Sequence, residues 1–173
     1  MKKVVCMALL ALLLFPVSAM ARDIEQGKFE FTGTTQTNLN WSSDDNLKTD
    51  TYSLNFDGQY YVIKNLGVGA FMSWTNIKVG GLNATMWMFG PQATYNISYD
   101  DKLSFFGNVG VGYAKYDIRD LNDDGFLFRV GCGVKYFLAR NVAMVGQVRY
   151  QRVNLDRSNL DEINMIFGLS VVF

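Results

Sequence analysis

Residues 126–137 read FLFRVGCGVKYF, and their side chains alternate strictly between two kinds. One parity is entirely apolar: Phe126, Phe128, Val130, Cys132, Val134 and Tyr136. The other parity contains charged residues, glycines and large apolar residues: Leu127, Arg129, Gly131, Gly133, Lys135 and Phe137. Successive side chains of a β-strand point to opposite sides, so a period of two predicts a strand with two different faces.

Seven further stretches share this period, which gives eight predicted strands separated by turn-rich segments. The connections at 64–65, 98–101 and 139–141 are short, whereas those at 42–50, 117–124 and 156–159 are more acidic and mostly longer. Pro91 removes one ladder donor from the fourth stretch and predicts a bulge or kink there. An even strand count with short turns at one end and longer loops at the other predicts an all-β fold, an eight-stranded antiparallel up-and-down transmembrane β-barrel.

The first 21 residues have the three parts of a signal peptide. Lys2 and Lys3 precede an apolar run from Val4 to Val17, and Ala19-Met20-Ala21 forms an A-x-A cleavage signal. The run is shorter than the roughly 20 apolar residues that span a bilayer, which disfavours a membrane anchor. We therefore predict a signal peptide at 1–21 and one barrel domain at 22–173, whose single cysteine, Cys132, cannot form an internal disulfide.

The composition excludes several classes of function. The chain has 16 basic and 16 acidic residues, and loss of Lys2 and Lys3 leaves 14 against 16, a balance that does not favour a nucleic-acid partner. It contains no histidine, the residue that most often serves as a general base and as a nitrogen ligand of zinc. We therefore expect no enzyme activity, no metal and no cofactor.

The alternation also fits a soluble barrel with an apolar interior, and the positions of charged and aromatic residues decide between the two. The apolar parity carries no charge until the strand ends, as a lipid-facing surface requires. Aromatic residues of that parity fall at two levels with aliphatic residues between them, and Trp and Tyr favour the two membrane interfaces. The level nearer the long loops comprises Trp41, Tyr52, Trp74, Trp87, Tyr113, Phe126 and Tyr150; the level nearer the short turns comprises Phe29, Phe31, Tyr60, Tyr95, Phe105, Tyr136 and Phe173.

With these features the mature chain resembles the small eight-stranded outer-membrane barrels of Gram-negative bacteria, the OmpA-barrel and OmpX-like group. Gly168, Val171 and Phe173 are similar to the terminal signal by which such barrels are recognised by the barrel assembly machinery, although Ile166 stands where a polar residue is usual. The resemblance implies a location in the bacterial outer membrane, with lipid and lipopolysaccharide as neighbours. Some members of this group are enzymes that use a histidine, which this chain lacks.

The opposite, inward parity carries charges of both signs, which we interpret as a network that fills a narrow lumen. We expect Arg149 to be central to it, and the alternative is a pore lining or a site for a polar solute. The predicted network comprises Lys28, Glu30, Asp57, Arg129, Lys135, Arg149 and Glu162.

Two further motifs lie near the long loops. Lys78, Lys115 and Arg152 follow outward aromatic residues, where they could contact lipopolysaccharide phosphates or simply extend their charges to water. Residues 120–125 read DLNDDG, the first half of a calcium loop, but the closing glutamate is replaced by Gly131. We interpret that segment as an acidic surface loop.

These observations favour a non-enzymatic barrel, which we expect to be monomeric, with a structural role in envelope integrity or in surface interaction. The alternative is a narrow, porin-like conduit for small solutes, with a mobile salt-bridge gate among Arg149, Asp57 and Glu162.

Overall fold

The chain forms eight β-strands in a computed structural model that describes residues 23–38, 49–79, 82–118, 121–155 and 159–173. The strands are β1 (Phe29–Asn38), β2 (Thr49–Ile63), β3 (Leu66–Val79), β4 (Leu82–Ser98), β5 (Leu103–Ile118), β6 (Leu121–Ala139), β7 (Val142–Leu155) and β8 (Asn159–Val172). The predicted signal peptide and Trp41 lie outside the described residues. Within the described part of the chain, no helix has the length and apolar character needed to cross a bilayer.

Each strand pairs antiparallel with its neighbour in sequence, and β8 pairs antiparallel with β1 to close the barrel. At the closure Phe31 lies opposite Val171, and Gly33 lies opposite Leu169. The backbone beyond β8 continues this contact, because the Phe173 amide donates to the Phe29 carbonyl at 2.8 Å. The predicted fold class is therefore confirmed.

The two parities face opposite sides of the wall, as the alternation predicts. On β2, Leu54 and Phe56 are about half exposed, while Ser53 and Asn55 between them are almost completely buried in the lumen. Aromatic rings pack against each other at both predicted levels. The ring centres of Phe29 and Tyr60 are 4.8 Å apart near the short turns, and those of Trp74 and Trp87 are 6.4 Å apart near the loops. The band between the levels also contains phenylalanine, since Phe56 lies midway between Tyr52 and Tyr60. Phenylalanine has no polar tip and suits this band.

The prediction of a long loop at 117–124 is wrong. Strand β5 continues to Ile118 and β6 begins at Leu121, so that Lys115 lies opposite Asp124 and Tyr116 lies opposite Asp123. The Tyr113 hydroxyl also donates to the Asp124 carboxylate across the two strands. Ladder pairing thus extends through residues whose types favour turns, and 121–125 belongs to β6, so it is neither the expected acidic surface loop nor half of a calcium loop.

The prediction of a bulge at Pro91 is also wrong. Pro91 lies directly opposite Ala70 of β3, and the register with β5 is the same before and after it, from Phe89–Tyr113 to Gln92–Gly110. The ladder to β5 is interrupted only at positions 90 and 91. A missing amide therefore removes local pairing without shifting the strand.

Candidate functional site: the barrel lumen

The lumen is filled by three groups of inward side chains, stacked from the short-turn end to the loop end. We call them the Glu30 cluster, the Asp57 cluster and the apolar lumen cluster. All three follow from the inward parity of the strands, which brings residues that are far apart in sequence to the same height inside a closed barrel.

The Glu30 cluster is a buried ion pair surrounded by neutral hydrogen-bond donors. The Lys135 ammonium lies 2.6 Å from one carboxylate oxygen of Glu30 and 2.8 Å from the other. The Tyr61 hydroxyl, the Ser170 hydroxyl and the Gln59 amide also donate to this carboxylate. Glu30 is wholly buried, and the cluster joins β1, β2, β6 and β8 across the lumen.

The Asp57 cluster contains two arginines and one carboxylate. Arg129 Nη2 lies 2.7 Å from Asp57 Oδ1, and Gln92 Nε2 donates to the same oxygen at 3.2 Å. The Arg129 guanidinium also lies 3.4 Å from the centre of the Phe71 ring. Arg149 is farther away, with 3.7 Å between its Nη2 and Asp57 Oδ2. The structure thus places Asp57 where both arginines meet, and Arg149 is the more loosely held of the two.

The apolar lumen cluster closes the loop end of the interior. It contains Phe71, Met86, Met88, Ala114, Leu127 and Val153, with Tyr116 and Leu160 packed against it. Met88 and Leu127 are almost completely buried although they face the lumen and not the lipid. Packed side chains of this kind leave little room for a continuous water path.

Two residues of the predicted network lie apart from these clusters. Lys28 precedes β1 and is exposed. Glu162 is partly exposed near the loop end, where Gln151 Nε2 donates to its carboxylate at 2.8 Å and Asn164 Nδ2 at 3.5 Å. It does not join Arg149 and Asp57, so the structure does not bring together the three residues of the hypothesised gate.

Sequence reasoning missed the neutral members of the clusters. Tyr61, Gln59 and Ser170 all lie on the inward parity, which is the signal that could have placed them in the lumen. Which charged group each of them contacts depends on the relative heights of distant strands, and no local pattern encodes those heights.

The Ser170 hydroxyl has a structural contact. It donates to the Glu30 carboxylate, which is already paired with Lys135, and Ser170 is itself wholly buried.

The predicted lipopolysaccharide contacts have different neighbours. Lys115 is exposed and lies opposite Trp87 of the upper aromatic level on one side and opposite Asp124 on the other. Arg152 is exposed as well, but its Nε lies 3.8 Å from Asp161 and donates to Asn154 at 3.1 Å. The side chain of Lys78 lies outside the described residues.

The three residues of the predicted assembly signal lie at the closing edge of the barrel. Phe173 is strongly exposed on the outer surface, and its ring centre lies 6.2 Å from that of Phe31. A Cβ on Gly168 would come within 2.1 Å of the Gly33 carbonyl oxygen of β1, so a larger residue there would push the two strands apart.

The chain before β1 folds over the short-turn end of the lumen. Ile24 is buried there, and its backbone amide donates to Asn65 Oδ1 at 2.9 Å. The backbone amide of Asn65 donates in return to the Ile24 carbonyl at 3.0 Å. Asn65 adopts a positive φ of 65° in the turn between β2 and β3, and its amide group donates to Asp23 at 2.6 Å. Hydrogen bonds from Lys64 and then Asn65 hold the pKa of the Asp23 carboxyl below its usual range.

The comparison with known families identifies the barrel. Residues 7–173 match the family model described as outer membrane protein beta-barrel domain. The chain belongs to this family. Its location is therefore the bacterial outer membrane, and its exposed apolar parity faces lipid.

Solved structures of other outer-membrane proteins have a similar fold. Neisserial surface protein A matches with a TM-score of 0.65 and 14% identity, over 88% of this chain and 99% of that chain. The outer membrane protein OprG of Pseudomonas aeruginosa matches with a TM-score of 0.62 and 13% identity, over 86% and 97%. The N-terminal barrel of OprF from the same organism gives 0.61 and 14%, over 87% and 100%. At these identities the likeness shows the fold alone, and no curated protein matches the chain in sequence.

Proposed function

We propose that the protein is a closed, non-enzymatic scaffold of the outer membrane, whose role is structural or lies in surface interaction. The observation that carries this proposal is the filled lumen, with the Glu30, Asp57 and apolar lumen clusters stacked along its length. An eight-stranded interior is only just wide enough for its own side chains, and here they bond to each other across it. The buried ion pairs favour a rigid wall over an open path.

The test is single-channel recording on residues 22–173 refolded in detergent and inserted into a planar bilayer. The scaffold predicts no discrete openings for the wild-type protein. A double variant, Arg129→Ala with Arg149→Ala, removes both long side chains of the Asp57 cluster and serves as a control for detecting a widened lumen. Reproducible openings of the wild type would overturn the closed scaffold.

A narrow conduit is the second candidate, and the loosely held Arg149 favours it. Asp57 is shared between two arginines, so an exchange of partners could shift the side chains that block the middle of the lumen. This version predicts wild-type openings that disappear or change in Arg149→Ala.

Contacts with lipopolysaccharide are a part of the scaffold proposal that can be tested separately. Basic side chains at the upper aromatic level can bind phosphates through charge-assisted hydrogen bonds. Replacing Lys78, Lys115 and Arg152 with Gln should reduce the lipopolysaccharide that co-purifies with the protein. The matched control replaces three exposed basic residues at the short-turn end, Lys64, Lys102 and Arg140. Equal lipopolysaccharide in both triple variants would contradict the contact.

We further propose that the barrel assembly machinery recognises the terminal signal, and that the protein acts as a monomer. Phe173 is exposed at the closing edge, where an assembly factor could reach it before β1 and β8 pair. Phe173→Ala should slow assembly into the outer membrane more than Phe29→Ala, which removes an exposed ring of the same lower level.

A further inference from the structure

Three inward side chains near mid-barrel form a row in which each has a buried atom without a partner. Thr34, Asn55 and Ser73 lie directly opposite one another on β1, β2 and β3. Their exposed fractions are 6%, 1% and 1%, and Thr34 Oγ1, Asn55 Nδ2 and Ser73 Oγ make no hydrogen bond. Directly opposed side chains of neighbouring strands lie about 5 Å apart at Cβ, so Asn55 has Thr34 on one side and Ser73 on the other at about that distance.

The lack of hydrogen bonds in the row does not extend to the next inward pair on β2 and β3. Ser53 and Thr75 lie directly opposite each other, and their hydroxyls are hydrogen-bonded at 3.0 Å. Inward polar side chains on these strands can therefore satisfy each other. Those of the Thr34–Asn55–Ser73 row do not.

Arg149 reaches this row from the opposite wall. Its Nη1 lies 3.5 Å from Asn55 Oδ1, the guanidinium is wholly buried, and its Nε has no partner. Its other contacts are long, at 3.4 Å to Gln147 and 3.7 Å to Asp57. Arg149 Nε and Asn55 Nδ2 can only donate, and the hydroxyls of Thr34 and Ser73 can donate as well.

The charges around the row do not balance. Arg129 and Arg149 carry two positive charges, and Asp57 carries one negative charge that Arg129 holds at 2.7 Å. Lys135 and Glu30 neutralise each other in their own cluster. The inward carboxylate of β8, Glu162, is partly exposed and accepts hydrogen bonds from Gln151 and Asn164. The two arginines share the single carboxylate of Asp57, so one buried positive charge remains in excess, which is costly in a low-dielectric interior.

We propose that a single small monovalent anion of the size of chloride binds between Arg149 and the Thr34–Asn55–Ser73 row. Such an ion would accept from the Arg149 guanidinium and from unpartnered donors of the row, and it would neutralise the surplus charge. Water could accept some of these bonds, but it would leave the charge uncompensated. The apolar lumen cluster on one side and the Glu30 cluster on the other enclose the ion, which favours a small anion over a phosphate.

The direct test is anomalous diffraction from crystals of the refolded wild-type protein grown with sodium bromide in place of chloride. The proposal predicts one anomalous peak inside the lumen, in contact with Arg149 and at least one residue of the row. Bromide found only on the outer surface or at the loops, or no lumen peak at all, would overturn it.

A solution experiment tests the same ion by linkage. Urea unfolding is measured in phospholipid vesicles at constant sodium, with chloride replacing gluconate, which is too large for the site. An ion bound only by the folded state makes the unfolding constant fall about tenfold for each tenfold rise in chloride above its dissociation constant. The exposed Arg152→Met variant should keep this dependence and Arg149→Met should lose it. A wild type without the dependence, or an Arg149→Met variant that keeps it, would overturn the site.

A milder pair of variants covers the case in which Arg149→Met does not fold. Ser73→Ala removes one donor of the row, whereas Ser53→Ala removes a hydroxyl from the satisfied pair on the same strands. Ser73→Ala should require several-fold more chloride for the same stabilisation, and Ser53→Ala should not. An equal chloride requirement in the two variants would contradict the assigned ligands.

Discussion

The ion pair of the Glu30 cluster should couple the two halves of the barrel wall strongly. Glu30→Gln leaves the Lys135 ammonium buried without a counter-charge, and Lys135→Met leaves the Glu30 carboxylate with only neutral donors. Breaking a buried pair by removing one partner costs about 3–5 kcal/mol. We expect about 3 kcal/mol for Lys135→Met, because three neutral donors still stabilise the carboxylate, and more for Glu30→Gln.

The double variant distinguishes a coupled pair from two independent losses. Glu30→Gln with Lys135→Met buries no charge and should cost less than the sum of the single variants by at least about 2 kcal/mol. The free energy of unfolding is measured by urea titration in phospholipid vesicles, followed by tryptophan fluorescence and by gel mobility. Lys64→Met, which breaks an exposed pair with Asp23, should cost less than about 1 kcal/mol. Additive effects of the two single variants, or single losses as small as that of Lys64→Met, would show that Glu30 and Lys135 are not a coupled pair.

Two further predictions concern the barrel's closure and its short-turn end. Gly168→Ala should lower the free energy of unfolding by about 1–3 kcal/mol, because its Cβ would meet a backbone oxygen of β1. Gly33→Ala should be nearly neutral, because its Cβ would point into open space. Urea titration of the two variants measures both losses, and equal losses would contradict the prediction. Because the folded-state pKa of Asp23 is depressed, its contact is present above the ordinary pKa of the carboxyl and is lost as pH falls through the lower value. The protection factor of the Ile24 amide, which is its intrinsic exchange rate divided by the observed rate, should therefore fall once the pH drops below the ordinary pKa of the carboxyl, and Asp23→Asn should remove that dependence; an unchanged pH profile in the variant would count against the contact.

The strands and the direction of their faces could be predicted because both are local properties. A period of two specifies which side chains share a face, and the absence of charge on one parity specifies the face toward lipid. Residues 126–137 predicted an outward Phe128 and an inward Arg129, which the structure confirms with exposed fractions of 37% and 2%.

The partners inside the lumen could not be predicted because they depend on the stagger of distant strands. Glu30 and Lys135 are 105 residues apart and meet only after the barrel closes with one particular set of registers. Glu162 and Arg149 share the inward parity but differ in height, so the same reasoning grouped residues that do not pair. Parity gives the face of a residue, but it does not give its level.

The ends of β5 and β6 could not be predicted from the sequence for a different reason. Asp123, Asp124 and Gly125 belong to types that favour turns, and a local pattern therefore stops the strand there. In the barrel the ladder between β5 and β6 continues past them, since pairing satisfies backbone groups whatever the side chains prefer. Pairing with β5 therefore outweighs the turn propensity of these three residues.

The apolar parity faces lipid, and packed side chains close the loop end of the lumen. The five methionines after the predicted signal peptide test both features, because Met72, Met144 and Met165 are outward and 38–53% exposed, whereas Met86 and Met88 are buried in the lumen. The decisive measurement is the set of nuclear Overhauser effects from methionine methyl groups, labelled with 13C, to acyl chains and to water in lipid nanodiscs. We expect acyl-chain contacts for the three outward methyls and neither acyl-chain nor water contacts for Met86 and Met88. Water contacts at Met86 or Met88 would contradict the packed lumen, and acyl-chain contacts there would contradict the assigned faces.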